Sequence, residues 1–197
     1  MTEREKMLAG LWYDPSDPEL CRQRDHARAE EFNRTTESEK EKRQKILKAL
    51  LGSMGQYSEI YPYVKFDYGC NTYLGDRCYI NFNATFLDCG EIRLGSDVFV
   101  GPNVSFLTPI HPLRAEERNV RFAPDGHPYT LEACKPILVE DRVWIGGNVV
   151  ILPGVTIGHD SVIGAGSVVT KNIPAGVIAV GNPCRVLRKV EESDRIK

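Results

Sequence analysis

The sequence lacks any long apolar run, and no stretch approaches the roughly 18 consecutive apolar residues of a membrane span. Its first ten residues, MTEREKMLAG, are charged and contain none of the apolar core of a signal peptide. Basic and acidic side chains nearly balance at a formal net charge of −2, so no overall positive field points to nucleic acid. We therefore expect a cytoplasmic protein that binds neither a membrane nor a nucleic acid.

Patterns that bind metals or form disulfides are also missing. The six cysteines include no C-x-x-C pair, and their spacing matches no zinc site. We expect them to be reduced thiols, several of them buried as small apolar residues. Histidine is scarce, with four residues in the chain. A site that requires a metal is therefore not expected.

One pattern is present in the second half of the chain, where an aliphatic residue recurs at every sixth position. The six members are Val139, Ile145, Ile151, Ile157, Ile163 and Val169. Neither a helix nor a strand gives a period of six, because their side chains repeat at about 3.6 and 2 residues. A triangular coil does, if each hexapeptide forms one flat face with its aliphatic inside and small residues let the backbone bend at the corners. Since six cycles stay in register, a parallel β-helix explains the pattern better than a chance apolar period.

The same period runs earlier in the chain and is interrupted twice. Inward positions are predicted at Leu74, Ile80, Phe86, Leu94, Val100 and Phe106, with a slip of two residues at 91–93. Between residues 108 and 136 the repeat vanishes into a polar, proline-punctuated excursion. Long excursions from a rigid scaffold are often functional, so we expect this one to contribute to a site.

The two ends of the chain differ from the repeats. Residues 1–55 are charge-rich, with a helix start at Asp17-Pro18 and a capping box at Thr36 and Glu39 that precedes a helix ending by Gly52. We predict three parts: an N-terminal helical segment over 1–55, a β-helix over 56–183 and a charged tail over 184–197. The helices would cover the open N-terminal end of the coil.

His111 stands out among the histidines, because it follows Thr108-Pro109-Ile110 where the coil stops and the excursion begins. The others lie in less suggestive places: a charged helix for His26, a Gly-His-Pro loop for His127 and an outward turn without an evident partner for His159. His111 could be an ordinary capping or hydrogen-bonding residue. The alternative is a general base, for which an imidazole with its unperturbed pKa near 6.5 suits neutral pH.

Six blocks of sequence carry a family resemblance. They are MTEREKMLAG at the start, FDYGCN at 66–71, YINFN at 79–83, VGPNVSFLTPIHPL at 100–113, VWIGGNVVILPGVTIG at 143–158 and SVIGAGSVVTKNIPAGVIAVGNPCRV at 161–186. Over essentially its whole length the chain resembles the maltose and galactoside O-acetyltransferases of the hexapeptide acyltransferase superfamily. The resemblance implies an all-β, left-handed parallel β-helix of hexapeptide repeats, with a small N-terminal helical segment and a loop excursion. It also implies a homotrimer with a site between neighbouring copies.

The resemblance implies direct acetyl transfer from acetyl-CoA to a sugar hydroxyl, without a metal. His111 would take the hydroxyl proton while the oxygen attacks the thioester, giving a tetrahedral oxyanion. Asn81 matches the residue whose amide helps stabilise that oxyanion. The alternative for Asn81 is a buried asparagine that closes a turn of the coil. Because no cysteine nucleophile is required, no acyl-enzyme is implied.

Several carboxylates are candidates for the acceptor pocket, where Asn81 would also lie. Asp67 and Asp88 match positions near it and Asp14 is a looser candidate, although each could be an ordinary turn aspartate. Asp88 is followed by Cys89 where the galactoside branch carries a second acid, and the excursion looks longer, so the maltose-like branch is favoured. Glu132 lies where the excursion returns and could orient His111, or could be a solvated loop residue.

The remaining candidates concern coenzyme A, which needs cations for its phosphates and a narrow groove for its pantetheine arm. Lys171, Arg185 and Arg188 match the cationic contacts of the family, and Gly147, Ala165 and Thr170 match the groove. Trp144 is predicted to point outward, as a ligand wall or as a structural residue between subunits.

Three other functions are the alternatives to sugar acetylation. The same chemistry could act on another small acceptor such as a lipo-oligosaccharide, a xenobiotic or serine, because acceptor pockets differ by few side chains. A β-helical carbonic anhydrase would need three histidine ligands, for which His26, His127 and His159 lie in unsuitable contexts. A non-catalytic β-helix would leave the pairing of His111 with Asn81 and the CoA matches unexplained.

Overall fold

Short parallel strands form the three flat faces of a triangular coil in the computed structural model, which describes residues 1–28 and 31–196. Face 1 contains β1 (Ser53–Met54), β4 (Thr72–Leu74), β7 (Ile92–Leu94), β14 (Ile137–Val139) and β17 (Thr156–Ile157). Face 2 contains β2 (Glu59–Ile60), β5 (Tyr79–Ile80), β8 (Phe99–Val100), β15 (Trp144–Ile145), β18 (Val162–Ile163), β20 (Val177–Val180) and β21 (Arg185–Lys189). Face 3 contains β3 (Lys65–Phe66), β6 (Thr85–Leu87), β9 (Ser105–Leu107), β16 (Val150–Ile151) and β19 (Val168–Val169). The predicted left-handed parallel β-helix is confirmed, with about six turns.

The core of the coil consists of the residues predicted from the period of six. All six aliphatics from Val139 to Val169 are completely buried, and the earlier inward positions are at most 3% exposed. On face 3 the rings of Phe66, Phe86 and Phe106 stack on one another with centroids 5.1 and 4.7 Å apart. This continuous apolar column explains why the chain keeps its register from coil to coil.

The bend at each corner is made three residues after the inward aliphatic, in several coils by a residue larger than the small residues expected at the corners. Arg142, Asn148 and Asp160 have φ of 58°, 57° and 59° at that position, in the left-handed region. The glycines after the aliphatics have a different function. A Cβ at Gly146 or Gly158 would lie 2.7 or 2.4 Å from a backbone nitrogen of the next coil, so these glycines allow close stacking.

One corner of the triangle, between face 3 and face 1, is enlarged in the first three coils. Phe66 and Leu74, like Phe86 and Leu94, are eight residues apart where a regular repeat has six. The slip of two residues in the sequence is therefore a wider corner. The excursion leaves the third coil at the same corner, which we call the His111 edge; the corner between faces 2 and 3 is the Asn81 edge.

Helices precede the coil, and two small hairpins form the excursion. The helices are α1 (Glu3–Leu8), α2 (Pro18–Arg28), α3 (Lys40–Leu50) and, in the excursion, α4 (Ala115–Arg118), with 3-10 turns at Glu31–Arg34, Glu37–Glu39 and Glu192–Asp194. In the excursion β10 (Pro109–Ile110) pairs with β13 (Ala133–Cys134), and β11 (Arg121–Phe122) with β12 (Pro128–Tyr129). The helix starts predicted from the sequence are present. Pro18 is the first residue of α2, and in the capping box before α3 the Glu39 carboxylate accepts a hydrogen bond from the Thr36 N–H at 2.9 Å.

The N-terminal segment packs on the coil at two places. Ala27, Phe32 and Leu47 join the main core, as expected of a segment that covers the end of the coil. Met7, Tyr13, Leu20, Tyr68, Cys89 and Cys134 form a second buried cluster at the His111 edge. The segment is thus tied to the base of the excursion as well as to the coil.

The C-terminal segment differs from the charged tail predicted for 184–197. Arg185–Lys189 forms β21, which pairs antiparallel with β20 and extends face 2. Lys197, part of that tail, lies outside the described residues, as do residues 29 and 30 of the N-terminal segment. Within the described ranges, the structure contains no helix with the length and apolar character needed to cross a membrane.

Candidate active site

The site residues predicted from the sequence lie mainly on two edges of the triangle. The His111 edge carries Asp67, Asp88, His111, Glu132, Thr170 and Lys171. The Asn81 edge carries Asn81, Gly147 and Ala165 after β5, β15 and β18, and Arg185 beside the end of β20. Trp144 and Arg188 lie on face 2 itself. A single chain therefore does not bring Asn81 and His111 together, because face 3 separates their edges.

His111 is held at the base of the excursion with one ring nitrogen engaged by the backbone. Its Nδ1 lies 3.1 Å from the carbonyl oxygen of Leu131, which can only accept, so Nδ1 carries a proton. In the neutral ring Nε2 then carries the lone pair, as a general base requires. The side chain is 49% exposed, so this nitrogen can be reached from outside.

Glu132 faces that nitrogen. Its Oε2 lies 3.7 Å from Nε2 of His111, and its side chain is only 18% exposed. The structure therefore brings together the two residues at opposite ends of the excursion. A carboxylate in this place stabilises the positive charge that appears on the ring when Nε2 takes a proton.

Tyr13 is a contact of Glu132 that the sequence did not reveal. Its hydroxyl donates to Oε1 of Glu132, and the two residues form a backbone bridge with N–H···O distances of 2.8 and 3.0 Å. The side chain is buried, and burial raises the Tyr13 pKa far above its ordinary value, so the phenol stays a neutral donor. In the sequence, the only feature that pointed to Tyr13 was its position next to the acceptor-pocket candidate Asp14.

Asp14 lies in the wall of a cavity of about 340 Å³ between the N-terminal segment and the excursion, together with Trp12, His127 and Tyr129. Its Oδ2 lies 3.3 Å from Nε2 of His127, whose Nδ1 lies 2.7 Å from Asp125. These carboxylates, Asp125 first and then Asp14, raise the pKa of His127. His127 is thus more than a loop residue, because it connects the tip of the excursion to the N-terminal segment.

The two aspartates predicted on the coil differ in their surroundings. Asp67 is mostly buried, with 14% of its side chain exposed, and forms a salt bridge with Arg28. Asp88 is completely buried, and its carboxylate accepts from the Tyr68 N–H at 2.8 Å and the Thr72 hydroxyl at 2.9 Å. Burial raises the pKa of Asp88 to about 6. Its oxygens support the wide corner of the His111 edge instead of lining an open pocket, which corrects the expectation for this residue.

The candidate coenzyme residues are at the surface of the last coils. Gly147 and Ala165 follow equivalent strands of successive coils, and Arg185 comes next along the same edge. Lys171 and Thr170 are exposed on the His111 edge. The guanidinium of Arg188 donates to both oxygens of Asp194, at 2.6 and 2.7 Å, so a carboxylate of the same chain already neutralises this cation.

Two candidates expose groups that a ligand or another copy could use. The Oδ1 of Asn81 accepts from the Phe82 N–H at 2.8 Å, which fixes the amide and presents its nitrogen as a donor. Trp144 is 58% exposed and pairs in register with Phe99 and Val162 on face 2. Across residues 1–28 and 31–196, no group of three or more His, Cys, Asp or Glu side chains is placed to hold a metal ion.

Two family models of known proteins match this chain, one in the N-terminal segment and one in the β-helix. The family model described as maltose acetyltransferase hexapeptide capping motif matches residues 6–55, and the bacterial transferase hexapeptide model, with six repeats, matches residues 136–171. A maltose O-acetyltransferase structure from Clostridium difficile is 44% identical, with a TM-score of 0.90 over 98% of this chain and 99% of that one.

Two further relatives match over most of their length. The galactoside O-acetyltransferase of Escherichia coli is 42% identical over 165 residues, which are 84% of this chain and 77% of the relative. A hexapeptide-repeat acetyltransferase from Vibrio cholerae, solved with acetyl-coenzyme A, is 36% identical, with a TM-score of 0.84 over 98% of this chain and all of that one.

Proposed function

The chain belongs to the maltose and galactoside O-acetyltransferase family of hexapeptide-repeat acetyltransferases, and we propose that it transfers the acetyl group of acetyl-CoA to a hydroxyl of a sugar such as maltose or glucose. The observation that carries the proposal is the arrangement at His111. Its Nδ1 donates a hydrogen bond to the Leu131 carbonyl. The other ring nitrogen, Nε2, lies beside Glu132 and is open to an acceptor hydroxyl as the general base.

In the proposed reaction the acceptor hydroxyl loses its proton to Nε2 of His111. Its oxygen forms a bond to the thioester carbon, and the carbonyl electrons move to oxygen to give the tetrahedral oxyanion. The oxyanion then collapses, the carbon–sulfur bond breaks, and the sulfur leaves with the proton that His111 returns. Asn81 donates to the oxyanion from its amide, a contact typically worth on the order of 3 kcal/mol.

A homotrimer completes this site. Since Asn81 and His111 stand on different edges of one chain, both can take part in one transfer only if a second copy supplies one of them. We propose that the Asn81 edge of one copy faces the His111 edge of its neighbour. The exposed aromatic residues of face 2, Phe99 and Trp144, provide apolar surface for such packing.

Coenzyme A would lie in the groove between the two edges. Gly147 and Ala165 on one edge and Thr170 on the other leave room for the thin pantetheine arm, and Trp144 would border it. Lys171 and Arg185 are exposed and would bind the phosphates, and Arg188 would join them on release from Asp194. The acetyl-coenzyme A complex of the Vibrio cholerae relative supports this cofactor.

The acceptor would bind at the His111 edge, where polar side chains suit a sugar. Glu132 offers a carboxylate beside His111, and Asp67 stands on the same edge of the coil. Asp14 would reach the acceptor from the neighbouring cavity between the N-terminal segment and the excursion, while Asp88 supports the corner of the His111 edge. The cytoplasmic location predicted from the sequence stays a prediction.

The proposal is tested by thiol release from acetyl-CoA in the presence of a panel of acceptors. The panel contains glucose, maltose, a galactoside, a lipo-oligosaccharide, chloramphenicol as a xenobiotic, and serine. Sugar-dependent release that His111→Ala abolishes supports the proposal. Release with serine or the xenobiotic alone would replace the sugar with another acceptor, and the absence of any release would contradict the proposed transfer.

A further inference from the structure

Tyr13 is buried at the point where the N-terminal segment meets the base of the excursion. Its hydroxyl donates to Oε1 of Glu132, and its backbone N–H and carbonyl both bond to those of Glu132, at 2.8 and 3.0 Å. The other oxygen of the same carboxylate, Oε2, lies 3.7 Å from Nε2 of His111. One carboxylate therefore connects a buried phenol to the proposed base.

We propose that Tyr13 is a positioning residue for acetyl transfer, which acts on His111 through Glu132. The inference rests on the proposed function, because it assumes that His111 is the base. It extends the catalytic machinery to the N-terminal segment, for which the sequence predicted only a cover for the end of the coil and, at Asp14, a candidate for the acceptor pocket. Tyr13 touches neither substrate nor cofactor in this scheme.

The geometry explains how a single hydroxyl could matter. A glutamate side chain ends in a carboxylate that rotates freely unless an oxygen is held. The Tyr13 hydroxyl holds Oε1, so Oε2 is the oxygen that faces His111. When Nε2 takes the acceptor proton, positive charge develops on the ring, and a fixed carboxylate stabilises it without reorganisation.

Removal of the hydroxyl should weaken catalysis more than binding. In Tyr13→Phe the ring still fills its place in the cluster, but Oε1 loses its donor in a mostly buried site. Loss of a hydrogen bond to a charged group corresponds to about tenfold or more in rate. We expect kcat to fall about tenfold, with the KM values for sugar and acetyl-CoA unchanged within about twofold.

The decisive experiment is a double-mutant cycle on the full-length protein. If Tyr13 acts through Glu132, Tyr13→Phe has no further effect on kcat in a Glu132→Gln background. A merely structural role would lower kcat by the same factor in both backgrounds, and that result would overturn the proposal. A wild-type kcat for Tyr13→Phe would overturn it as well.

Tyr68→Phe is the matched control, because Tyr68 belongs to the same buried cluster but its hydroxyl bonds Arg24 at 2.7 Å. We expect this variant to keep the wild-type kcat.

If Tyr13→Phe does not fold, Glu132→Asp tests the same claim, because it keeps the negative charge but withdraws the carboxylate from both Tyr13 and His111. Full activity of Glu132→Asp would contradict positioning. If His111→Ala stays active, the proposed function itself fails, which separates the two outcomes.

Discussion

Oε2 of Glu132 lies 3.7 Å from Nε2 of His111, although the two residues stand at opposite ends of the excursion. The hairpin of β10 and β13 brings them together, and the Leu131 carbonyl fixes the ring beside them. The two ends of the excursion thus pair and place the proposed base, His111, next to the carboxylate of Glu132. A loop that interrupts a regular coil in this way places reactive side chains on a rigid support.

Replacement of His111 by alanine should abolish most of the activity. Because general base catalysis contributes roughly 10² to 10⁴ in rate, we expect kcat to fall at least about 100-fold. Binding of coenzyme A, measured by calorimetry, should stay within about twofold of wild type. His159→Ala is the control, since His159 pairs with Asp160 away from both proposed edges. A His111→Ala variant with near-full activity would refute the mechanism.

Neutralisation of Arg185 or Lys171 should act on the coenzyme rather than on the sugar. Each would lose a charge-assisted contact to phosphate, so we expect the acetyl-CoA KM to rise about tenfold in Arg185→Gln or Lys171→Gln. The KM for sugar should change less than about twofold. Arg195→Gln removes another cation of the same C-terminal segment, one that pairs with Glu192, and serves as the control. Equal increases in both KM values would argue against phosphate binding.

Arg188 should respond differently from Arg185, because Asp194 already neutralises it. We expect Arg188→Gln to raise the acetyl-CoA KM less than Arg185→Gln does. Asp194→Asn should lower this KM, since it frees the guanidinium for a phosphate. Steady-state kinetics at constant ionic strength measure both effects, and an unchanged KM in Asp194→Asn would show that Arg188 takes no part.

The buried carboxyl of Asp88 should make stability depend on pH. Burial raises its pKa from 3.8 to about 6, so the folded chain holds this proton more strongly than the unfolded chain. The resulting stabilisation is present below about pH 4 and is lost as the pH rises through about 6. Relative to Asp88→Asn, the wild-type free energy of unfolding should fall by up to about 3 kcal/mol from pH 4 to pH 7. Urea unfolding of both proteins at one protein concentration measures these free energies. If the difference between wild type and Asp88→Asn does not change with pH, the pKa of Asp88 is not raised in the folded chain.

The fold was predictable to the level of individual inward residues, because a period of six leaves a visible pattern of aliphatics. The excursion and His111 were visible for the same reason, as an interruption of that pattern. The contact between Tyr13 and Glu132 was not, because tertiary packing brings together residues far apart in sequence. The burial of Asp88 was hidden as well, since it depends on the widened corner that encloses it.

The central claim, that two copies build each site, is tested most directly by mixing two inactive variants. His111→Ala and Asn81→Ala would be unfolded together in equal amounts, refolded, and assayed for sugar-dependent thiol release. Random assembly into trimers makes about three quarters of them mixed, each with one complete site of three, so we predict about one quarter of wild-type activity. If mixed trimers are confirmed by native mass spectrometry and remain inactive, the site does not combine the Asn81 edge of one copy with the His111 edge of another.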